Sequence, residues 1–506
     1  MPRPLPLLVL ALGLFGCTPA DDCEGGGCGC LELSDDGICC EGFLTLGDGG
    51  RCEARPWPPT ERFALGAPGA DAIEVGVDGL GRALVSWQRR DPDPQKARST
   101  LAEQTADGWR THALGNPELG FGARATLATR GLEAWVTWSQ HRTLDDEDVS
   151  TVHLLRRDSR GRWMTDDDGE QISFAPKAYE PRPLLPSTGE GLVVWNQWRS
   201  NGGYGVALGR TAPGETTLVL PDSSTDVLSP LFFFSNAPQI AVGTNGDGVI
   251  TWYQATPAPG VTDPTAPSDG LRLFISERFR VDGTFSRPGI EDWLSPDGPP
   301  IASHEVRNPV VAVGEFGEAL VFWSQEHPSG KTGLYMASRG SLPDIGADDE
   351  WTTPANADDT FGPLREDAAC IEVVIASTRE AHVTWFDGPP GATTVYAAHR
   401  DATGAWDTQL ELSTPGRAAQ NPRLAVGPDG EAAVVWTERG EDERWRVMGR
   451  RRGPLGTAWG EAVELSTAAE GDAVGPAIAI GPDGTLVAAW TVGPLAAQTV
   501  SVAILP

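Results

Sequence analysis

The sequence lacks the residue patterns that mark the common enzyme classes. It contains no Gly-x-Ser-x-Gly, no Walker-type loop and no His-Glu-x-x-His, because His304-Glu305 is followed by Asn308 at the zinc-ligand spacing. The seven histidines are scattered one to a loop or strand. We therefore expect no metal site and no cofactor, and a binding protein rather than an enzyme.

Basic residues are also scarce. Lysine and arginine total 39 against 70 acidic residues, for a formal net charge of −31. A nucleic-acid partner needs a basic surface, and anionic lipid would repel this chain. The charge therefore excludes nucleic-acid binding and favours solubility and repulsion between copies, so we expect a monomer.

No apolar run is long enough to span a bilayer. The longest N-terminal run, residues 5–15, follows Arg3 and ends at Gly16-Cys17. The segment Leu14-Phe15-Gly16-Cys17 resembles the lipobox of bacterial lipoproteins. This resemblance implies a signal peptide over residues 1–16, acylation of Cys17 and, because Thr18 follows, an outer-membrane anchor facing the periplasm or the cell surface. An ordinary secretory signal with a structural Cys17 is the alternative.

Six cysteines crowd the next stretch, which we assign to residues 17–53. An even number in a Gly- and Asp-rich exported segment predicts three disulfides, with 15 possible pairings. A zinc site fits less well, since the segment has no Cys-x-x-Cys and no histidine. The disulfide candidates are Cys23, Cys28, Cys30, Cys39, Cys40 and Cys52. Cys370, alone in an apolar strand, is predicted to be a buried, inert thiol.

Residues 54–506 repeat with a period of roughly 50 residues, which is typical of a β-propeller. Each copy has a short strand, a Gly turn and a second strand ending in tryptophan, followed by two further strands. We call these the frame tryptophans: Trp87, Trp138, Trp195, Trp252, Trp323, Trp385, Trp436 and Trp490. The prediction is an all-β chain forming a single propeller of four-stranded antiparallel blades, eight by count and seven if one weak copy is an insertion. The last repeat lacks a fourth strand, so residues 56–66 are predicted to supply it and close the ring.

The turn before the fourth strand resembles the Asp-box of sialidase-like propellers. The best copies are Arg400-Asp401-Ala-Thr-Gly404-Ala-Trp406 and Arg157-Asp158-Ser-Arg-Gly161-Arg-Trp163. As a whole, the repeat region resembles uncharacterised propeller lipoproteins of bacteria. The sialidase resemblance would imply an arginine triad and a tyrosine–glutamate pair, but no Arg-Ile-Pro element lies near the first blade and the chain has only five tyrosines. The catalytic residues are therefore unassigned.

A polar residue stands two positions after several frame tryptophans. It is either part of a binding rim or a hydrogen-bonding partner of the backbone between blades; the recurrence favours the second role. The possible rim comprises Gln140, Gln197, Gln254 and Gln325 with the aromatic residues Trp198, Tyr204 and Tyr253. A ligand site should break the repeat symmetry, and the asymmetric segments are the loops at 89–97, 141–148, 255–270, 295–307 and 341–360. Acidic runs at 145–148 and 166–170 are interpreted as solvated loops, with calcium binding as the alternative.

These patterns predict a lipid-anchored envelope propeller that binds a protein or polysaccharide without catalysis. The alternative is a glycan-active enzyme, a sialidase-like hydrolase or a lyase, with its site at the propeller axis. A structural envelope subunit is a third interpretation.

Overall fold

A computed structural model describes residues 61–505 and four short strands between residues 32 and 54. The description omits 66–69, 90–96, 116–120, 145–146, 175–176, 200–202, 224–225, 231–234, 258–267, 279–282, 290–291, 297–305, 341–350, 365, 367, 455–457, 468–469 and 495–497. The N-terminal strands form two hairpins, β1 (Glu32–Leu33) with β2 (Cys39–Cys40) and β3 (Leu44–Leu46) with β4 (Cys52–Ala54). The predicted lipidation residue Cys17 and the disulfide candidates lie outside the residues whose side chains are described.

The remaining strands form eight antiparallel sheets in chain order, which are the eight blades. The strand β5 (Glu61–Ala64) precedes them. Blade 1 has β6 (Ala70–Val77), β7 (Ala83–Arg89), β8 (Arg98–Thr105) and β9 (Gly108–Leu114); blade 2 has β10 (Phe121–Gly122), β11 (Thr126–Arg130), β12 (Glu133–Leu144), β13 (Glu147–Arg157) and β14 (Glu170–Gln171); blade 3 has β15 (Ala178–Leu184), β16 (Leu192–Trp198) and β17 (Tyr204–Arg210); blade 4 has β18 (Ser235–Val242), β19 (Gly248–Pro257) and β20 (Ser268–Arg278).

The second half repeats the plan. Blade 5 has β21 (Val306–Val313), β22 (Ala319–Glu326) and β23 (Thr332–Arg339); blade 6 has β24 (Ala369–Ile375), β25 (Ala381–Asp387), β26 (Thr394–Arg400) and β27 (Leu410–Glu411); blade 7 has β28 (Ala419–Val426), β29 (Ala432–Arg439), β30 (Trp445–Arg452) and β31 (Val463–Glu464); blade 8 has β32 (Ala473–Ile480), β33 (Leu486–Val492) and β34 (Thr499–Leu505).

The ring closes as predicted. The N-terminal strand β5 pairs with the last strand β34 in the register Ala64 with Ser501 and Glu61 with Ile504, so β5 is the fourth strand of blade 8. The first strand of each blade contacts the first strand of the next blade, and β32 of blade 8 contacts β6 of blade 1. The prediction of an eight-bladed all-β propeller closed by an N-terminal strand is confirmed.

The core lies between neighbouring blades. All eight frame tryptophans are buried, with at most 1% of their surface exposed. Each packs into an apolar cluster that draws on two adjacent blades; for example, Trp490 lies with Ala433, Val435 and Val447 of blade 7. Burial of eight such indoles, each covering about 150–250 Å² of apolar surface, makes the tryptophan frame the main source of blade cohesion.

The fourth strands are less regular than the sequence predicts. Trp109 lies in the regular strand β9, but Trp163, Trp406 and Trp459 each form an isolated bridge to the arginine that ends the third strand. This outermost position has a neighbour on one side only, so little cooperative hydrogen bonding stabilises a longer strand. The Asp turn before it is well formed: Asp401 Oδ1 accepts from the backbone N–H groups of Thr403 and Ala405 at 2.9 and 3.0 Å.

Candidate functional site

A tripeptide at a β-bulge lies near the start of the innermost strand in every blade. Its third residue pairs with the residue before the frame tryptophan, and its second is a buried Ile, Ala or Pro. The first residues are Ala72, Arg124, Glu180, Ala237, Asn308, Cys370, Asn421 and Gly475, and the third residues are Glu74, Thr126, Arg182, Gln239, Val310, Glu372, Arg423 and Ala477.

The backbone at the first position is constrained in the same way around the ring. Seven of the eight first residues have positive φ, between 48° and 62°, although Gly475 is the single glycine among them. In these seven blades the first residue is left-handed, a region that side chains adopt at a cost of about 1–2 kcal/mol. Arg124 of blade 2 is the exception. Among the other seven blades, differences at this level arise from the side chains.

Charged side chains occupy these positions on one arc of the ring. We call Glu74, Arg124, Arg182, Glu372 and Arg423 the axial cluster. Arg124 forms an ion pair with Glu74, and Arg423 contacts Glu372 at 2.5 Å and Glu74 at 3.8 Å. The second carboxylate oxygen of Glu372 accepts from the backbone N–H of Leu424 at 2.9 Å.

The axial cluster joins blades that are not neighbours. Arg423 of blade 7 reaches Glu74 of blade 1 across blade 8. The positive charge of Arg423 lowers the pKa of Arg182, which lies in blade 3 on the opposite side of the eight-bladed ring. The four paired side chains remain 21–37% exposed, so solvent reaches the cluster at the axis.

Electrostatics distinguish Glu74 from Arg182. Burial raises the pKa of Glu74, but the charges of Arg124, Arg423 and Arg182 outweigh it, so the pKa lies below its usual value. Burial lowers the pKa of Arg182, and Arg124 and Arg423 lower it further against the opposing pull of Glu74 and Glu180. Among the described residues, the Arg182 guanidinium forms neither an ion pair nor a hydrogen bond. Within the described part of the chain, Arg182 is therefore a cation that other guanidiniums repel and that no carboxylate contacts directly.

Aromatic side chains gather at one end of blade 3, where β15 begins, three residues before Arg182. Tyr179 packs edge-on against Tyr204 with ring centroids 4.7 Å apart, and Trp198 packs against Tyr204 at 5.0 Å. We call Tyr179, Trp198, Tyr204 and Tyr253 the rim aromatics; all four are partly exposed. Burial raises the pKa of Tyr179, as do Tyr204, Glu180 and Tyr253, which shows that these groups converge.

Buried polar groups hold the rim aromatics in place. The fully buried Arg199 donates to the Tyr204 carbonyl at 2.9 Å, and Ser235 Oγ donates to the same carbonyl at 3.0 Å. Burial lowers the pKa of Arg199 to about 10. Glu180, the residue after Tyr179, accepts from Asn196 Nδ2 at 3.0 Å and from the Ala237 N–H at 3.2 Å. These contacts fix the position of Tyr204 and Glu180 in the ring.

The four glutamines of the predicted rim lie inside the blades. All are at most 4% exposed. The frame indoles of Trp195, Trp252 and Trp323 donate to Gln197, Gln254 and Gln325 at 3.1–3.2 Å. Gln197 also donates to the Phe174 carbonyl at 2.9 Å. This placement favours the structural role that the sequence left open, and it leaves Trp198, Tyr204 and Tyr253 as the predicted residues that face the site.

Cys370 corrects a prediction. Its thiol is exposed rather than buried, because it occupies the first position of the axial tripeptide with φ 48°, and its Sγ lies 3.6 Å from Asn421 Oδ1. The neighbouring Ile371 and Val373 fill the core instead. The sequence analysis also missed the axial cluster, although the recurring triplets Glu180-Pro181-Arg182 and Asn421-Pro422-Arg423 carried its signal.

The described residues contain neither a cluster of metal ligands nor a helix that could span a membrane. No group of three or more His, Cys, Asp or Glu side chains is arranged there to hold a metal ion. Within the same residues, no helix is long and apolar enough to cross a membrane. Most of the asymmetric loops named above lie outside the described residues.

Comparisons with known proteins support the fold alone. No protein-family model and no curated protein matches the chain. Similar solved structures include the polysaccharide lyase Uly1, with 11% identity, a TM-score of 0.46 and coverage of 87% of this chain and 90% of that one. The BP39L lectin from Burkholderia pseudomallei has 14% identity and a TM-score of 0.46, with coverage of 79% of this chain and 100% of that one. The Hadza microbial sialidase Hz136 has 11% identity and a TM-score of 0.37, with coverage of 88% of this chain and 95% of that one. The assignment of the β-propeller rests on the eight closed blades described above.

Proposed function

We propose that this protein is a non-enzymatic binding protein whose propeller holds an acidic polysaccharide at the mouth of its axis. The observation that carries the proposal is Arg182, whose guanidinium contacts no carboxylate among the described residues and is repelled by the charges of Arg124 and Arg423. Three of the rim aromatics, Tyr179, Trp198 and Tyr204, lie at one end of the same blade. An anionic ligand group would relieve the repulsion among the three guanidiniums. Arginine also suits carboxylate and sulfate groups, because its donors match their planar oxygens.

The surrounding charge makes this cation selective. The chain carries a net charge of −31 and repels polyanions in general. A polysaccharide that brings single acidic groups, spaced by neutral sugar, can place one group at Arg182 while its remaining residues meet uncharged surface. The rim aromatics provide that surface, since aromatic faces pack well against the apolar faces of sugar rings.

The carboxylates of the axial cluster are poorly suited to acid catalysis. Glycoside hydrolysis needs one carboxyl group with a raised pKa to protonate the leaving group. Glu74 is shifted in the opposite direction, and Glu372 is engaged by Arg423 and the Leu424 N–H. These contacts support binding over hydrolysis.

A glycan-active enzyme is the second candidate. The convergence of carboxylates and arginines at one axis, which Glu74, Glu372 and the three arginines show, is the arrangement that glycan chemistry uses. Incubation with the polysaccharide, followed by assay of new reducing ends and of unsaturated uronate, separates the candidates. Cleavage abolished by Glu372→Gln would support the enzyme and overturn the binding proposal.

Binding is tested with hyaluronan, in which acidic and neutral sugars alternate, as the acidic probe and with dextran as the neutral one. We expect wild type to bind hyaluronan and not dextran, and Arg182→Gln to weaken binding by about tenfold or more, as expected for a charged hydrogen bond. Arg287→Gln is the matched control, because Arg287 is 61% exposed and pairs with Asp226 at the surface. Equal binding by wild type and Arg182→Gln, both folded by thermal melting, would refute the site.

The location of the protein is part of the same proposal. Acylation of Cys17 would anchor the propeller to the outer membrane, where envelope and environmental polysaccharides are accessible. Metabolic labelling with a fatty acid should mark wild type and leave Cys17→Ser unlabelled. Labelling that persists in Cys17→Ser would contradict the anchor.

A further inference from the structure

One blade carries a titratable side chain where the other seven carry apolar ones. Three residues before the frame tryptophan, on the second strand, blade 6 has His382. The equivalent residues are Leu84, Trp135, Leu192, Val249, Leu320, Ala433 and Val487. The repeat therefore requires no polar group at this position, and a histidine there calls for a reason of its own.

His382 is buried without hydrogen bonds. It is 1% exposed, and among the described residues neither ring nitrogen has a partner. Its ring lies 5.0 Å from that of His399, the residue opposite it on β26, and 6.3 Å from Trp459 of blade 7. On its other side it is paired with the apolar Val374 of β24. The second proton, which makes the His382 ring a cation, would thus have no acceptor among the described residues.

The charged groups around the histidine pair bridge blades 6 and 7. His399 Nε2 lies 3.1 Å from Glu380 Oε1, and Arg452 of blade 7 donates to His399 Nδ1 at 2.9 Å. Asp407 lies 3.5 Å from His399 Nδ1 and 3.6 Å from Arg452. The carboxylates Glu380 and Asp407 are engaged by His399 and Arg452, so they do not compensate a charge on His382.

We propose that the junction of blades 6 and 7 is an acid-sensitive seam, which loosens when His382 is protonated and weakens ligand binding at the axis. A cation at His382 would face His399 and Arg452 in an apolar setting, and burial of an uncompensated charge is strongly unfavourable. Separation of the two blades would let water reach the ring.

The direction of the pH dependence follows from the same contacts. Burial, with the charges of His399 and Arg452, holds the pKa of His382 well below its ordinary value. A histidine whose folded pKa is depressed contributes stability above its unfolded pKa of about 6.5 and loses it as the pH falls below that value. For one bound proton, each further unit of pH decrease raises the equilibrium ratio of open to closed seam by up to about tenfold.

The seam leads to the axial cluster. Glu372 of blade 6 and Arg423 of blade 7 meet across it at 2.5 Å, the Leu424 N–H donates across it to Glu372, and Cys370 faces Asn421 at its inner edge. Loosening would displace Arg423 from the site. This consequence for binding rests on the proposed function, whereas the opening of the seam does not.

Hydrogen exchange followed by mass spectrometry on the full chain tests the seam directly. Between about pH 8 and about pH 5, after correction for intrinsic exchange, we expect protection to fall selectively in β25, β26 and β30. His382→Leu should abolish this selective loss, since leucine occupies the position in three other blades. His382→Phe keeps a ring and serves as the second variant should leucine misfold.

A matched control uses the other buried histidine whose pKa is depressed. Burial lowers the pKa of His153, in blade 2, to about 4. His153→Leu should leave the acid response of blades 6 and 7 unchanged. Loss of protection that is uniform over all blades, or that persists in both His382 variants, would overturn the seam.

The two parts of the proposal fail separately. Selective loss of protection in acid with unchanged hyaluronan binding would refute only the link to the proposed site. Unchanged exchange in β25, β26 and β30 would refute the seam itself.

Discussion

The guanidinium of Arg423, on blade 7, lies 3.8 Å from the carboxylate of Glu74, on blade 1, with blade 8 between them. The same arginine contacts Glu372 of blade 6 at 2.5 Å. Glu372, the nearest negative charge, raises the pKa of Arg423, with a further contribution from Glu74. One side chain therefore ties together the first strands of three blades at the axis.

Replacement of Arg423 should destabilise the ring centre. Arg423→Gln leaves Glu74 and Glu372 close together with less positive charge, and we expect a loss of about 1–2 kcal/mol, since the groups remain partly solvated. The double variant Arg423→Gln/Glu372→Gln should recover part of the loss. Chemical denaturation measures both, and additive losses would contradict the coupling.

The buried ion-pair network between blades 1 and 2 should govern acid stability. Arg157 is fully buried, lies 2.9 Å from Asp78 and contacts Glu103 at 2.5 Å. Arg157→Leu removes the buried cation that Asp78 and Glu103 share, while Asp78 keeps Arg82 at 2.7 Å and Glu103 keeps Trp163 Nε1 at 3.1 Å, so we expect a loss of about 3 kcal/mol at neutral pH. Arg162→Leu is the surface control, because Arg162 is 69% exposed and should cost less than about 1 kcal/mol.

The pH dependence of this network has a defined sign. Burial raises the pKa of Glu103, but His112 with its Nε2 at 3.9 Å, a hydrogen bond from Trp163 Nε1 and the charge of Arg157 lower it to about 2. Because its pKa is lower in the folded state, the Glu103 carboxylate stabilises the fold above pH 4.5, its unfolded pKa. That contribution is lost as the pH falls from 4.5 to about 2. The difference in the free energy of unfolding between wild type and Arg157→Leu, measured by chemical denaturation, should therefore decrease as the pH falls through this range. A difference that stays constant with pH would contradict the assignment.

Frame tryptophans differ in what their indole N–H contacts. Trp436 Nε1 donates to Glu438 at 3.0 Å, whereas Trp490 is followed two residues later by Val492 and has no acceptor among the described residues. Both indoles are fully buried. Trp436→Phe should be more destabilising than Trp490→Phe by about 1 kcal/mol, because the buried carboxylate oxygen of Glu438 loses one of its two donors and keeps the Thr414 N–H at 2.9 Å. Equal losses in urea denaturation would assign all the stability to packing.

Removal of β5 should open the ring. Deletion of residues 61–64 exposes the edge of β34, which that strand otherwise covers. Exposed strand edges pair with other chains, so we expect a lower melting temperature and oligomers in size-exclusion chromatography. Deletion of residues 17–53 retains β5 and should leave a monomer with a near-normal melting temperature.

The repeat architecture could be predicted from sequence because its determinants are local. Asn421-Pro422-Arg423 and Gly475-Pro476-Ala477 stand at one distance from their tryptophans, and period-two alternation assigns each strand. The outer strands were predicted less well, since isolated bridges such as Arg452 with Trp459 depend on how blades close on one another. Cys370 was misassigned because apolar neighbours in sequence do not show which way a bulge turns a side chain.

The sequence by itself determined the eight blades, the tryptophan frame and the closing strand, because each follows from a pattern repeated within a few residues. Only the tertiary structure brought Arg182 of blade 3 near Arg423 of blade 7, and His382 beside Arg452 without a partner for its own nitrogens. Distances across the axis depend on the number and tilt of all blades together. Local patterning carries no information about that closure until the whole ring has formed.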